Sequence, residues 1–279
     1  MRLGGSVTDP YACPEEWLAQ VRELSYSAVV FPVDCTASPS VRKEYLQCIK
    51  ENNLLIGEVG IWRNCMSRDA DEREANIRYA VGQLELAEEV GARCCVNVAG
   101  SWGALWDGYH PAHATDEYYE SLVLTTQRII DAVAPRNTCF SIEPMPWACP
   151  ESPEQYLQLM KDVDRTAFKV HLDFANMINS IDRYRRSSEF IRCCFELLGP
   201  YIRSIHAKDL KLDDERLPLC IEETLPGTGS IDLGLALTLA ERLGEDTPVF
   251  VEHLPDNAAY AAAAAHMRAV AAAAGVALR

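Results

Sequence analysis

Basic residues are scarce in this chain. Lys and Arg number 26 against 41 Asp and Glu, a formal charge of −15. Nucleic-acid backbones are gripped by clustered cations, so an acidic excess of this size excludes nucleic-acid binding as the main role. It also disfavours anionic membrane surfaces. No run of about 18 apolar residues occurs, so no transmembrane helix is expected. The opening stretch MRLGGSVTDP lacks the apolar core of a secretion signal, and a cytoplasmic location is expected. The 11 cysteines include no C-x-x-C spacing, which excludes zinc-ribbon and thioredoxin-type motifs. Their odd number and the adjacent pairs at 94–95 and 193–194 fit buried thiols better than a disulfide framework. Internal repeats, linkers and an early Gly-rich phosphate turn are missing too.

What is present is alternation. Short β-rich runs cover residues 2–7, 28–34, 55–62, 94–99, 140–143, 169–173, 203–208 and 249–254. Helical patterns cover 14–24, 39–52, 69–90, 115–133, 153–163, 187–198, 232–243 and 256–273. Proline opens the first of these helices and threonine the fourth, both established helix-start residues. The third repeats Ile77, Val81, Leu84 and Ala87 at helical spacing. Eight strands each followed by a helix predict one α/β domain over 1–279, a single (β/α)8 TIM barrel. An open doubly wound sheet would need no eighth unit. The alanine-rich last helix reads as a strong helix former that packs closely, with His266 as a packing or surface residue.

In such a barrel the chemistry lies at the C-terminal ends of the strands. Strand five ends in Glu143, strand six in Asp173 and strand seven in His206, while strand eight carries Glu252. Three carboxylates and an imidazole sharing one mouth would repel one another unless a cation stood among them. One divalent metal ion, Mn, Co, Zn, Fe or Mg, suits this mixed oxygen and nitrogen set. Other residues point to the same mouth. His171, two before Asp173, is either a barrel-interior histidine or a partner or base for the site. Lys208 is either a substrate contact or a salt bridge to a ligand carboxylate. Glu58 is either a substrate contact or polar filling. Four tryptophans, Trp62, Trp102, Trp106 and Trp147, fall at or just after strand ends three to five. The long loop GSWGALWDGYHPAHA reads either as a substrate wall, with Trp102 and Trp106 facing sugar C–H surfaces and His110 and His113 offering hydroxyl contacts, or as a loop pinned by aromatic packing, and the two are compatible. PGTGS at 226–230 is either a phosphate cradle or a plain turn. Arg183, Arg185 and Arg186 either meet an anion or form a charged helix surface.

The segments FSIEPMP, VHLDFANMI, SIHAKD, PGTGSID and VFVEHL resemble the xylose isomerase-like TIM barrels, specifically the sugar phosphate isomerase/epimerase group with D-tagatose and D-psicose 3-epimerases. The resemblance follows element order over essentially the whole chain, with its specific motifs in 140–254. It implies that Glu143, Asp173, His206 and Glu252 hold the metal. It also implies that Glu143 and Glu252 move a proton on and off a carbon beside a carbonyl of a small carbohydrate. Many relatives carry a substrate-contacting histidine three residues after the metal-binding Asp. Here Asn176 stands there, so the contact it implies is an uncharged one. A dimer or tetramer is common in the group. The resemblance implies a metal-dependent sugar isomerase or epimerase. A lyase or dehydratase acting on an oxidised sugar or glycoside is the second reading, and a non-catalytic sugar-binding barrel another. A DNA-repair endonuclease on the same fold would need a histidine-rich site and a basic face, which this chain does not have.

Overall fold

The computed structural model describes residues 1–279. In chain order its strands are β1 Arg2–Gly5, β2 Ala28–Val30, β3 Leu55–Gly60, β4 Cys94–Val98, β5 Phe140–Glu143, β6 Val170–Asp173, β7 Ile202–His206, β8 Asp209–Asp213, β9 Cys220–Thr224 and β10 Pro248–Val251. Its α-helices are α1 Pro14–Glu23, α2 Pro39–Glu51, α3 Ala70–Val90, α4 Asp116–Val133, α5 Pro153–Val163, α6 Ile181–Arg185, α7 Ser187–Leu198, α8 Leu233–Glu241 and α9 Asn257–Ala274. Most helices start where a side chain satisfies a free N–H of the first turn. Ser38, Asp69, Thr115, Ser152, Asp232 and Asp256 each do this.

Eight parallel strands form two arcs, β1-β10-β7-β6 and β2-β3-β4-β5. Hydrogen bonds close both seams. Ser27 N–H donates to Leu3 O at 2.9 Å, and Phe140 N–H donates to Ala167 O at 2.9 Å while its own carbonyl accepts from Lys169 N–H at 3.0 Å. The result is the expected barrel, with every residue of β4 buried because both faces of a parallel strand are covered. Phe250 fills the centre. A side chain on Gly57 would lie 2.6 Å from its ring, and one on Gly4 closer still, so two glycines make room for one large ring. No helix is long and apolar enough to cross a membrane. All 11 cysteines are free thiols.

Several predicted strands are too long, for a physical reason. Those predicted over 55–62 and 249–254 stop at Gly60 and Val251, just before Trp62 (φ +49°) and His253 (φ +57°). A left-handed residue cannot continue a strand. The strand predicted over 203–208 ends at His206, and the chain then makes an antiparallel hairpin, β8 with β9, that the sequence pattern did not announce.

Candidate functional site

The ends of β5, β6 and β7, and the residue following β10, bring Glu143, Asp173, His206 and Glu252 together, with one ligand atom of each within 4.8 Å of the others. His206 Nδ1 is 2.8 Å from Glu252 Oε1, 3.2 Å from Glu143 Oε1 and 3.9 Å from Asp173 Oδ2. One ring nitrogen can hydrogen-bond only one of these carboxylates well, so the cage is oversupplied with acceptors. Asp173 Oδ2 and Glu252 Oε1 are buried and make no well-aligned hydrogen bond. Buried carboxylate oxygens beyond what the hydrogen bonds around them satisfy, beside an imidazole nitrogen, are a donor set that suits a divalent cation. These four residues therefore fit such an ion.

Electrostatics agree. Burial would lower the His206 pKa, but the charges of Glu252, Glu143 and Glu58 hold it well above its ordinary value. Burial and the neighbouring Glu252 push Glu143 up. Glu252 goes the other way. Burial opposes its charge, but His206 and Lys208 outweigh burial and hold it well below the usual carboxylate range.

Beneath the cage lies a second polar layer. Glu58, on β3, is 1% exposed and reaches His206 Nε2 with Oε2 at 3.4 Å. Its other oxygen accepts from Ser204 Oγ and stands 3.2 Å from His171 Nδ1. The His171 and His206 rings meet edge to face at 4.1 Å. His171 is thus inward and one layer deeper, as its position two before Asp173 requires, though neither of its ring nitrogens is well hydrogen-bonded. The two imidazoles outweigh the burial of Glu58 and keep it ionised, well below its usual range. Asn176 fastens Glu143: its Nδ2 donates to Glu143 Oε1 at 3.3 Å and to Pro144 O at 3.0 Å.

Above this floor is a cavity of about 610 Å³. Glu58, Glu143, Asn176, His206 and Glu252 line it, and so does Trp106. Other expected substrate contacts lie elsewhere. Trp102 packs edge to face on Tyr118 and under the Arg68 guanidinium, facing a different surface groove. His110 accepts from Ala112 N–H at 3.2 Å and caps the short turn Pro111–Ala114. Its loop position gave it an exposed hydroxyl-binding look, but it does not line the cavity and the turn takes up its Nδ1. His113 is turned inward and bonds the Trp147 carbonyl at 3.2 Å. Lys208 is 1% exposed and does not line the cavity. Its ammonium lies 2.8 Å from Asp173 Oδ2, touches Glu252 Oε1 and accompanies Asn176 Oδ1 at 3.3 Å. Of its two readings, the salt bridge is the one the geometry carries. The sequence reading did not single out Met145, Tyr260 or His253, which also line the cavity.

The PGTGS loop, Arg183 and Arg186 are already engaged by the protein itself. In the PGTGS loop, the amides of Gly227 and Gly229 donate to Asp209 Oδ2, and that of Ile231 donates to Asp209 Oδ1. A carboxylate fills the place a phosphate would take. Arg183 is spent on the carbonyls of Glu151 and Met177, and Arg186 pairs with Asp182.

Comparison with solved structures shows the same fold. A xylose isomerase-like TIM barrel protein from Mycobacterium smegmatis, in complex with magnesium, is 19% identical with a TM-score of 0.69, covering 97% of this chain and 92% of that one. A 3-keto-D-glucoside 4-epimerase from E. coli is 17% identical with a TM-score of 0.70, covering 96% and 99%. A probable 3-DHS dehydratase from Bacillus anthracis is 16% identical with a TM-score of 0.71, covering 94% of each chain. No curated protein matches the sequence. Residues 18–270 match the family described as xylose isomerase-like TIM barrel, and with the barrel and its strand-end cage in place the chain belongs to that family.

Proposed function

We propose that the protein is a divalent-metal-dependent sugar isomerase or epimerase that moves a proton on a carbon next to a carbonyl. The observation that carries this reading is the convergence of Glu143, Asp173, His206 and Glu252 at neighbouring strand ends. A cation held by these four would supply Lewis-acid stabilisation of the charge that develops on the substrate oxygen. The chain's own residues do the rest. Glu252, held ionised, is suited to take the proton. Glu143, at the end of β5, offers a second carboxylate from its own side of the mouth to exchange a proton with the substrate. Asn176 keeps the Glu143 carboxylate oriented, and Glu58 keeps the His206 ring from rotating. Similarity in fold to an epimerase supports this chemistry. Similarity to a probable dehydratase supports a second outcome of the same proton removal, loss of a leaving group from the adjacent carbon.

Two measurements test the proposal together. Elemental mass spectrometry should find about one divalent ion per chain in the wild type and none in Asp173→Asn. The loaded protein should exchange carbon-bound hydrogen of a keto-sugar with deuterated water, and Glu252→Gln should lower that rate by about 10²-fold or more. Metal-free protein after incubation with Mn²⁺, Co²⁺ and Zn²⁺, or undiminished exchange in Glu252→Gln, would overturn it. Release of a leaving group alongside exchange would select the elimination reading.

A further inference from the structure

The cavity is larger and less polar than a free monosaccharide needs. Twelve liquid waters take about 360 Å³ at roughly 30 Å³ each, and the twelve covalently joined non-hydrogen atoms of a hexose take less. The cavity holds about 610 Å³. Glu58, Glu143, His206 and Glu252 line it from the strands and their ends, while Trp62, Trp106 and Trp147 line it from the loops after β3, β4 and β5.

Two of the three wall tryptophans, Trp147 and Trp62, are held in place. Trp147 Nε1 donates to Asp107 O at 2.9 Å, tying the loop after β5 to the loop after β4. Trp62 sits in the left-handed region, and its indole lies against Gly60, where any side chain would collide with it. Non-glycine residues keep such a backbone only where their surroundings impose it, and these positions cluster at ligand sites. All three indoles nonetheless remain between 36% and 39% exposed. Held apolar surface left uncovered at a cavity wall is surface a ligand can cover.

Charge narrows the ligand further. No Lys or Arg lines the cavity, whereas Glu58, Asp107, Glu143 and Glu252 do. The Lys208 ammonium is turned into the carboxylate cage, and Asp209 fills the one loop shaped for a phosphate. A sugar phosphate or sugar acid would meet four acidic side chains and no lysine or arginine along these walls.

Resting on the sugar reading above, we infer that the cavity takes a neutral sugar bearing an apolar substituent, a glycoside with an aromatic or similarly apolar aglycone. The sugar ring lies on the polar floor and the substituent lies along Trp62, Trp106 and Trp147.

Equilibrium calorimetry on the metal-loaded full chain tests this, using methyl β-D-glucopyranoside, phenyl β-D-glucopyranoside and D-glucose 6-phosphate as probes. Phenyl glucoside should bind at least tenfold more tightly than methyl glucoside and should quench tryptophan fluorescence. Trp106→Ala and Trp147→Ala should each remove most of that preference, while Trp106→Phe, which keeps an apolar ring, should retain it. Equal binding of the two glucosides, tightest binding of the phosphate, or binding of none of the three at millimolar concentration would overturn the inference. The deuterium-exchange assay reads the floor chemistry separately. Exchange without a phenyl preference leaves the isomerase reading standing and removes this one, and a phenyl preference without exchange does the reverse.

Discussion

Replacing Lys208 by methionine isolates what its buried ammonium does. Methionine keeps an unbranched apolar stem of similar length, so packing is conserved while the charge is lost. The ammonium sits 2.8 Å from Asp173 Oδ2, in contact with Glu252 Oε1 and 3.7 Å from Glu143 Oε1. At an effective dielectric constant of 20, the Asp173 pair alone is worth about 6 kcal/mol of gross attraction. Desolvating the ammonium offsets several kcal/mol of this, and removing one partner of a buried pair typically costs about 3–5 kcal/mol because the other charges stay behind. Lys208→Met should therefore destabilise the chelator-treated protein by about 3–5 kcal/mol in urea unfolding followed by circular dichroism. Saturating Mn²⁺ places positive charge among the same carboxylates, so the loss should shrink to less than half of that value. A destabilisation below about 1 kcal/mol in chelator, or one of the same size with and without metal, would refute the reasoning. A raised KM with unchanged stability would instead return Lys208 to the role of substrate contact.

Glu58→Gln keeps the shape of the side chain but removes the charge facing His206 and His171. Metal affinity, measured by competition with a coloured chelator, should fall about 10–100-fold, and an unchanged affinity would show that the ring needs no such support. Asp209→Ala leaves the amides of Leu210, Gly227, Gly229 and Ile231 without their acceptor. The Leu210 and Ile231 bonds are buried, and at about 1–3 kcal/mol for each buried orphan equilibrium unfolding should show a loss of at least about 2 kcal/mol. Metal binding should release protons near neutral pH, because His206 and Glu143 have pKa values raised above their ordinary ranges and must lose their protons to become ligands. Affinity should thus weaken as pH falls. Calorimetry in buffers of different ionisation enthalpy checks the sign, and proton uptake would contradict it.

Much of the site was legible because the barrel geometry is so regular. Strand-end position alone nominated Glu143, Asp173, His206 and Glu252, and a period of two placed His171 one layer beneath. The limits of legibility arose where the chain leaves the strands. Lys208 lies past β7, so periodicity said nothing about whether its stem would turn toward substrate or toward Asp173. Trp102 and Trp106 are four residues apart in one loop, yet one packs on Tyr118 and the other lines the cavity. Only tertiary packing separates them. The hairpin of β8 and β9 was hidden because DLKLD reads as a continuation of the strand before it, and CIEET, half polar on both faces, carries no core pattern.

The left-handed turn at His253 has a consequence for how many groups a barrel mouth can host. A regular strand alternates its side chains, so it offers the mouth about one usable position at its end. After Val251 the backbone abandons that alternation, and Phe250, Val251, Glu252 and His253 all border the cavity. His253 then reaches across to Glu223 on β9, at 3.0 Å. The functional capacity of the mouth is thereby decoupled from strand count: one residue held in an unfavourable conformation, at a local cost of about 1–3 kcal/mol, lets a single strand end supply a cage carboxylate and also a latch to the neighbouring hairpin.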